Sequence, residues 1–142
     1  MTLTPRQRAL VVTSFQKIVL RADTTFELMY RRLFEMEPRI QPLFKDDLRQ
    51  QKSMFVQILR LIVADLHAPD KLRPVLRELG LRHVNYGAQP ADYDLLGTTM
   101  LWAFEQVLSP VDFTTEVKEA WKQTYHMIVG IILEEAYQES ES

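Results

Sequence analysis

Three polar side chains occupy positions where helical periodicity puts apolar ones, and they are the residues of this chain best placed for chemistry. His83 ends the stripe Leu72, Val75, Leu76, Leu79, His83, whose spacing keeps all five on one helix face. Tyr30 sits within Phe26, Met29, Tyr30, Leu33, Phe34, and Gln51 opens the face Gln51, Phe55, Ile58, Leu59, Ile62, Leu66. A polar group buried without a partner costs about 1 to 3 kcal/mol, so each needs one. Taken singly, each has a plain reading: a core tyrosine whose hydroxyl reaches the surface, a glutamine bonded to backbone at a helix start, a satisfied core histidine. The imidazole is either that or a metal ligand. If the helices bearing Gln51 and His83 face each other across a flat slot, Phe44 can pave one side while Tyr30 and Gln51 aim donors opposite the imidazole. A planar cofactor fits such a slot.

The other histidines compete poorly. His67 follows a helix end beside Ala68-Pro69, where histidine commonly caps carbonyls, and His126 points away from the Trp121, Ile128, Ile132 face. Both are expected at the surface. With no cysteine, disulfides, thiolate metal sites, iron-sulfur clusters and covalently attached haem are excluded. HExxH, GxGxxG, GxxxxGK and GxSxG spacings are missing, and Lys45-Asp46-Asp47 and Glu134-Glu135 read as solvated helix ends. The 17 basic and 19 acidic residues leave no electrostatic footprint for nucleic acid or an anionic membrane. The longest apolar run, Met127 to Leu133, is well short of the ~20 residues of a spanning helix, and a cytoplasmic protein is expected.

The elements that must position these residues are all helical. Only four glycines occur, apolar residues recur at helical spacing, and no period-two alternation or hairpin signal appears. Thr4-Pro5-Arg6-Gln7 predicts a capping box opening a helix to about Leu20. A second helix is predicted from near Asp23 until Pro38 ends it, followed by a short helical turn over Ile40 to Leu43. Asp46 or Asp47 can cap the next, which His67-Ala68-Pro69-Asp70 breaks. The His83 helix begins after Asp70, tolerates Pro74 in its first turn and is punctuated by Gly80, and Gly87 and Pro90 close that segment. Two long helices follow, from about Pro90 to Leu108 and from about Phe113 to Tyr137, with a polar tail over Gln138 to Ser142. At 142 residues the chain reads as one domain, with room for a core and one sizeable pocket.

Phe-x-x-x-Tyr at Phe26 to Tyr30, Pro42-Leu43-Phe44, Gln51, the segment Leu79 to Gly87, Asp92 to Gly97 and Ala120-Trp121 together resemble bacterial single-domain globins. They look most like the haemoglobin domain of flavohaemoglobins and its stand-alone relatives. The resemblance runs from about Leu3 to Ala136 and implies an all-α globin fold packed around haem b. It makes His83 the iron ligand, Phe44 the aromatic against the porphyrin, Tyr30 and Gln51 the distal donors and Phe55 the residue filling the slot above the iron. Tyr93 matches a residue that orients the proximal histidine in that family. The family's partnering glutamate, however, falls at Ala136, with Glu135 about 100° round the helix. The implied activity is reversible binding of dioxygen, CO or NO. NO detoxification to nitrate is an enzymatic use that would need an external reductase, since no flavin- or nicotinamide-binding domain is seen. Gas or redox sensing through a partner is the alternative, and a haem-free interaction module is disfavoured by three buried polar groups. A monomer or homodimer is expected.

Overall fold

A computed structural model describes residues 2–44 and 47–137 of the chain. Helix α1 (Pro5–Val19) starts with the expected reciprocal cap: Thr4 Oγ1 accepts from the Gln7 amide at 3.1 Å and Gln7 Oε1 from the Thr4 amide at 2.9 Å. Helix α2 (Ala22–Met36) buries Phe26, Met29, Tyr30 and Leu33, stops just before Pro38, and passes into a 3₁₀ turn over Pro38–Leu43. Of the two candidate caps for α3 (Leu48–Ala64), Asp47 serves, its Oδ1 accepting from the Gln50 amide at 2.9 Å. Lys45, Asp46 and the expected tail from Gln138 lie outside the described residues.

A second 3₁₀ turn, Pro69–Leu72, leads into α4 (Arg73–Asn85), so Leu72 precedes the helix whose stripe it begins. Gly80 does not punctuate α4 but lies buried inside it. A Cβ there would stand 2.6 Å from Ala136 Cβ and 3.0 Å from Ile132 Cγ2, so the missing side chain permits a close helix crossing. Gly87, with φ of 88°, turns the chain toward α5 (Pro90–Val107). Helix α6 (Thr115–Ile132) begins slightly later than the pattern of apolar residues suggests. Phe113 is buried edge-on against Phe104 before the helix, and Thr114 caps it by accepting from the Val117 amide at 3.2 Å. The α-helical ladder then widens into a single π turn, Leu133–Tyr137.

Helix α2 packs along α5, α1 lies on α6, and α4 rests on the end of α6 and the π turn. Their shared core is built from Val11, Ile18, Phe26, Met29, Leu33, Met100, Phe104 and Trp121, all nearly or wholly out of solvent. Phe104 meets Phe26, Phe113 and Trp121 in edge-on contacts, and the Trp121 indole donates to Ser14 Oγ at 2.8 Å, satisfying its one polar group. Helices α3 and α4 scarcely touch. The space between them, floored by α5 and α6, is the cavity.

Candidate functional site

The cavity has a volume of about 390 Å³, a size typical of small-molecule and cofactor pockets, and its wall is overwhelmingly apolar. Tyr30 of α2, Phe44 after the first 3₁₀ turn, Gln51 and Phe55 of α3, His83 of α4 and Tyr93 of α5 all border it. All six candidate site residues therefore converge on one space. Gln50 is exposed, as its helical phase requires, and His67 and His126 are at the surface.

On the α4 side, His83 Nδ1 lies 2.7 Å from the Leu79 carbonyl oxygen, one turn back along the same helix. A carbonyl only accepts, so Nδ1 carries the proton and Nε2 keeps its lone pair for the cavity. Burial pushes the imidazole pKa down, and the neighbouring charge of Arg82 pushes the same way against the Leu79 hydrogen bond. The result is a neutral ring with a fixed tautomer, the form in which histidine binds metals.

On the opposite side, Tyr30 is only 3% exposed. Its ring is held edge-on by Phe44 at 5.4 Å and by Phe55 at 6.3 Å, with Phe34 at 6.2 Å. Phe55 in turn leans on Phe26 at 5.1 Å, so the cage is continuous with the core. Tyr30 is thus part of the core, as its plain reading has it, and also borders the cavity. No described residue hydrogen-bonds the Tyr30 hydroxyl, and burial pushes its pKa up, so it is a neutral O–H donor bordering the cavity.

Behind His83, the Tyr93 ring lies 5.8 Å from the imidazole at a 38° tilt, yet its hydroxyl meets the Tyr137 hydroxyl at 3.1 Å. Tyr137 also donates to the Ala88 carbonyl at 3.1 Å, and the Tyr125 hydroxyl donates to the Tyr93 carbonyl at 2.5 Å. Ala136 is buried against Gly80, while Glu135 turns outward to Arg73 at 3.1 Å, which Glu134 and Asp70 also hold. Sequence reasoning missed Leu79 as the acceptor, although its four-residue spacing from His83 on a helix was the available signal. It missed Tyr137 too, because no local pattern marks the π turn that aims it.

Among the described residues no group of three or more His, Asp or Glu side chains is arranged to hold a bare metal ion. One neutral imidazole facing an apolar slot suits instead a metal that arrives inside a planar ligand of its own. The donor set thus fits an iron porphyrin: the His83 nitrogen could hold the iron, aromatic and aliphatic walls would enclose the ring, and the Tyr30 O–H would remain as a donor in the same cavity.

A family profile described as Globin matches residues 27–132. The chain is 28% identical over 134 residues to a flavohemoprotein of Xylella fastidiosa strain Temecula1, a match covering 92% of this chain and 33% of that protein. A flavohemoprotein of Rhizobium meliloti is 23% identical over 145 residues, covering 98% of this chain and 36% of its own length. The chain thus spans about a third of the length of these relatives. Among solved structures, an engineered carbene transferase made from a 'putative nitric oxide dioxygenase' of Rhodothermus marinus superposes with a TM-score of 0.87 at 25% identity, covering 99% of this chain and 97% of that one. A bacterial globin from Campylobacter jejuni superposes with a TM-score of 0.81 at 19% identity over 98% and 100% of the two chains, a likeness of fold.

Proposed function

The chain belongs to the globin family, and from that premise we propose that it is a haem b globin that binds dioxygen, CO and NO reversibly, in which His83 would hold the iron and Tyr30 and Gln51 would donate hydrogen bonds to the gas. The observation that carries this reading is that one apolar cavity is bordered both by an imidazole whose Nδ1 is engaged by Leu79, which leaves Nε2 its lone pair, and by the Tyr30 hydroxyl, which no described residue bonds. The haem, when bound, supplies a ferrous iron able to take a diatomic gas. The protein's own residues do the rest. Leu79 fixes the tautomer and rotation of His83, while Phe44 and Phe55 shape the slot and keep bulk water out. Tyr30 would offer a neutral O–H donor to a ligand carrying partial negative charge, and the apolar surroundings would strengthen that hydrogen bond.

Conversion of NO to nitrate with an external reductase is a second reading. It is favoured by relatives named flavohemoprotein and by the likeness to a structure named as a nitric oxide dioxygenase. Against rapid turnover, His83 is bonded to a neutral carbonyl, which pushes less electron density toward iron than a carboxylate partner does.

The test is reconstitution with haem followed by absorption spectra of the ferric, ferrous and gas-exposed protein. A Soret band that shifts with CO is expected for the wild type and its loss for His83→Ala. Wild-type protein that takes up no haem would overturn the proposal. Nitrate formed over many turnovers with a reductase would select the enzyme, and one stoichiometric turnover the carrier.

A further inference from the structure

Resting on the haem reading above, we propose that Tyr86 is a redox-active residue. With haem bound and hydrogen peroxide as the oxidant, it gives one electron to the haem and its proton to water, carrying oxidising equivalents from the cavity to the protein surface.

The place of Tyr86 in the fold brings it near the iron ligand. It borders the same cavity as His83 and is nonetheless 47% exposed, so one side chain reaches both the pocket and solvent. It follows His83 by three residues and closes α4 in helical geometry, its amide donating to the Arg82 carbonyl at 3.1 Å. Residues so spaced are neighbours on one helix face, with Cβ atoms about 5 to 6 Å apart. The phenol therefore stands one turn from the imidazole that would hold the iron, a gap an electron crosses without contact.

The fate of the proton singles Tyr86 out. A phenol that loses an electron becomes a strong acid, and a charge kept in an apolar interior is costly, so the proton must leave at once. Tyr30 borders the cavity but is buried, with no described residue to take its proton. Tyr125 and Tyr93 border it too, yet the Tyr125 hydroxyl donates to the Tyr93 carbonyl, and the Tyr93 hydroxyl meets that of Tyr137, which donates to the Ala88 carbonyl. A backbone carbonyl accepts a hydrogen bond but is too weak a base to keep a proton. Trp121 follows the same pattern, its indole donating to Ser14 Oγ, which donates to the Leu10 carbonyl at 2.8 Å. Trp102 is set apart by the Arg32 guanidinium 5.0 Å over its ring, a positive charge that opposes loss of an electron. The Tyr86 hydroxyl has no described partner, and its half-exposed side chain has water to take the proton.

The electrons balance over two molecules of protein. The O–O bond of hydrogen peroxide breaks as it takes two electrons and two protons to give two waters. Two Tyr86 phenols supply those electrons through the haem and release two protons, and each becomes a neutral phenoxyl radical. A phenolic or enediol reductant in solution restores each by giving up one hydrogen atom. Because the radical sits at the mouth of the cavity, the reductant need not fit inside. The resulting activity is reduction of peroxide by an external one-electron donor, beside gas binding.

The test treats ferric, haem-loaded protein with an equimolar amount of hydrogen peroxide in the presence of a nitroso spin trap, and places the adduct by peptide mass spectrometry. The adduct is expected on Tyr86, and Tyr86→Phe, matched to wild type by Soret absorbance, is expected to lose it. Simple exposure is controlled with His83→Ala at the same total haem, where labelling of Tyr86 should fall to background. A wild-type adduct on Tyr30, Tyr93, Tyr125, Tyr137 or a tryptophan in place of Tyr86 overturns the proposal. So does labelling of Tyr86 in His83→Ala equal to that in wild type, which would assign it to oxidation from solution. The wild-type map decides even if a variant does not fold. Failure of the haem reading looks different: the wild type then takes up no haem and shows no Soret band before peroxide is added.

Discussion

Tyr30 and His83 border the same cavity with opposite needs, one holding a proton it has not donated and the other a lone pair it has not shared. Neither need is met by the other residue, and this makes the tyrosine separable from stability. Because no described residue bonds the Tyr30 hydroxyl, Tyr30→Phe is expected to change the stability of haem-free protein by less than about 1 kcal/mol in a denaturant titration. The same substitution should leave haem bound and speed dioxygen release by about tenfold to a hundredfold, since a charge-assisted hydrogen bond contributes about 1.5 to 3 kcal/mol. Stopped-flow dissociation checks the second effect, and an unchanged off-rate would remove Tyr30 from the distal role. The identities of both residues, and their departure from a plain apolar stripe, are legible in the sequence. The unbonded hydroxyl is not, because it depends on what α5 and α3 bring alongside.

At the scale of the elements, the placement of His83 depends on how closely α4 approaches the end of α6. Gly80 and Ala136 set that distance, and the approach is too tight for any side chain at position 80. Gly80→Ala is expected to destabilise the fold by about 1 to 3 kcal/mol despite the better helix propensity of alanine, because the crossing must open. Gly130, inside α6, gives the contrast, since nothing lies within 4 Å of where its Cβ would be. Gly130→Ala is expected to stabilise by about 0.5 to 1 kcal/mol through helix propensity and a stiffer unfolded chain. Chemical denaturation of the two variants checks both signs. The caps at Thr4 and Asp47 follow from local sequence alone, as does the stop at Pro38, because their partners lie within a few residues. The interior position of Gly80 and the π turn do not, because each answers to a neighbour far away in the chain.

Across the whole molecule, ion pairs tie the first helix to the last part of the chain. Arg6 meets Glu116 at 2.5 Å and Lys17 meets Asp112 at 2.5 Å, linking α1 to α6 and to the turn before it. The side-chain hydrogen bond from Arg6 holds Glu116 below its ordinary range, and that from Lys17 does the same for Asp112. Carboxylates with lowered folded-state pKa stabilise the protein above their ordinary values of about 4 and lose that contribution as pH falls through and below them. Both pairs are solvent-exposed, so the effect is small and screened by salt. The double variant Arg6→Met, Lys17→Met is expected to melt slightly below wild type at neutral pH and low salt. The difference should vanish by about pH 2, once the carboxylates are protonated. A gap that persists in acid or in high salt would assign it to lost packing.

The all-helical class and most of the element order follow from the sequence through hydrophobic period, caps and proline stops, which act over one or two turns of chain, whereas the set of six residues around the pocket needed the family resemblance, which alone brought in Phe55 and Tyr93. His67 and His126 could be set aside for the same reason. Tertiary structure decided what lies behind His83. A backbone carbonyl addresses the imidazole there, while Tyr137 bonds Tyr93 and Glu135 turns out to Arg73. A local pattern cannot carry that information, since the π turn packs Ala136 onto Gly80 across a gap of more than fifty residues.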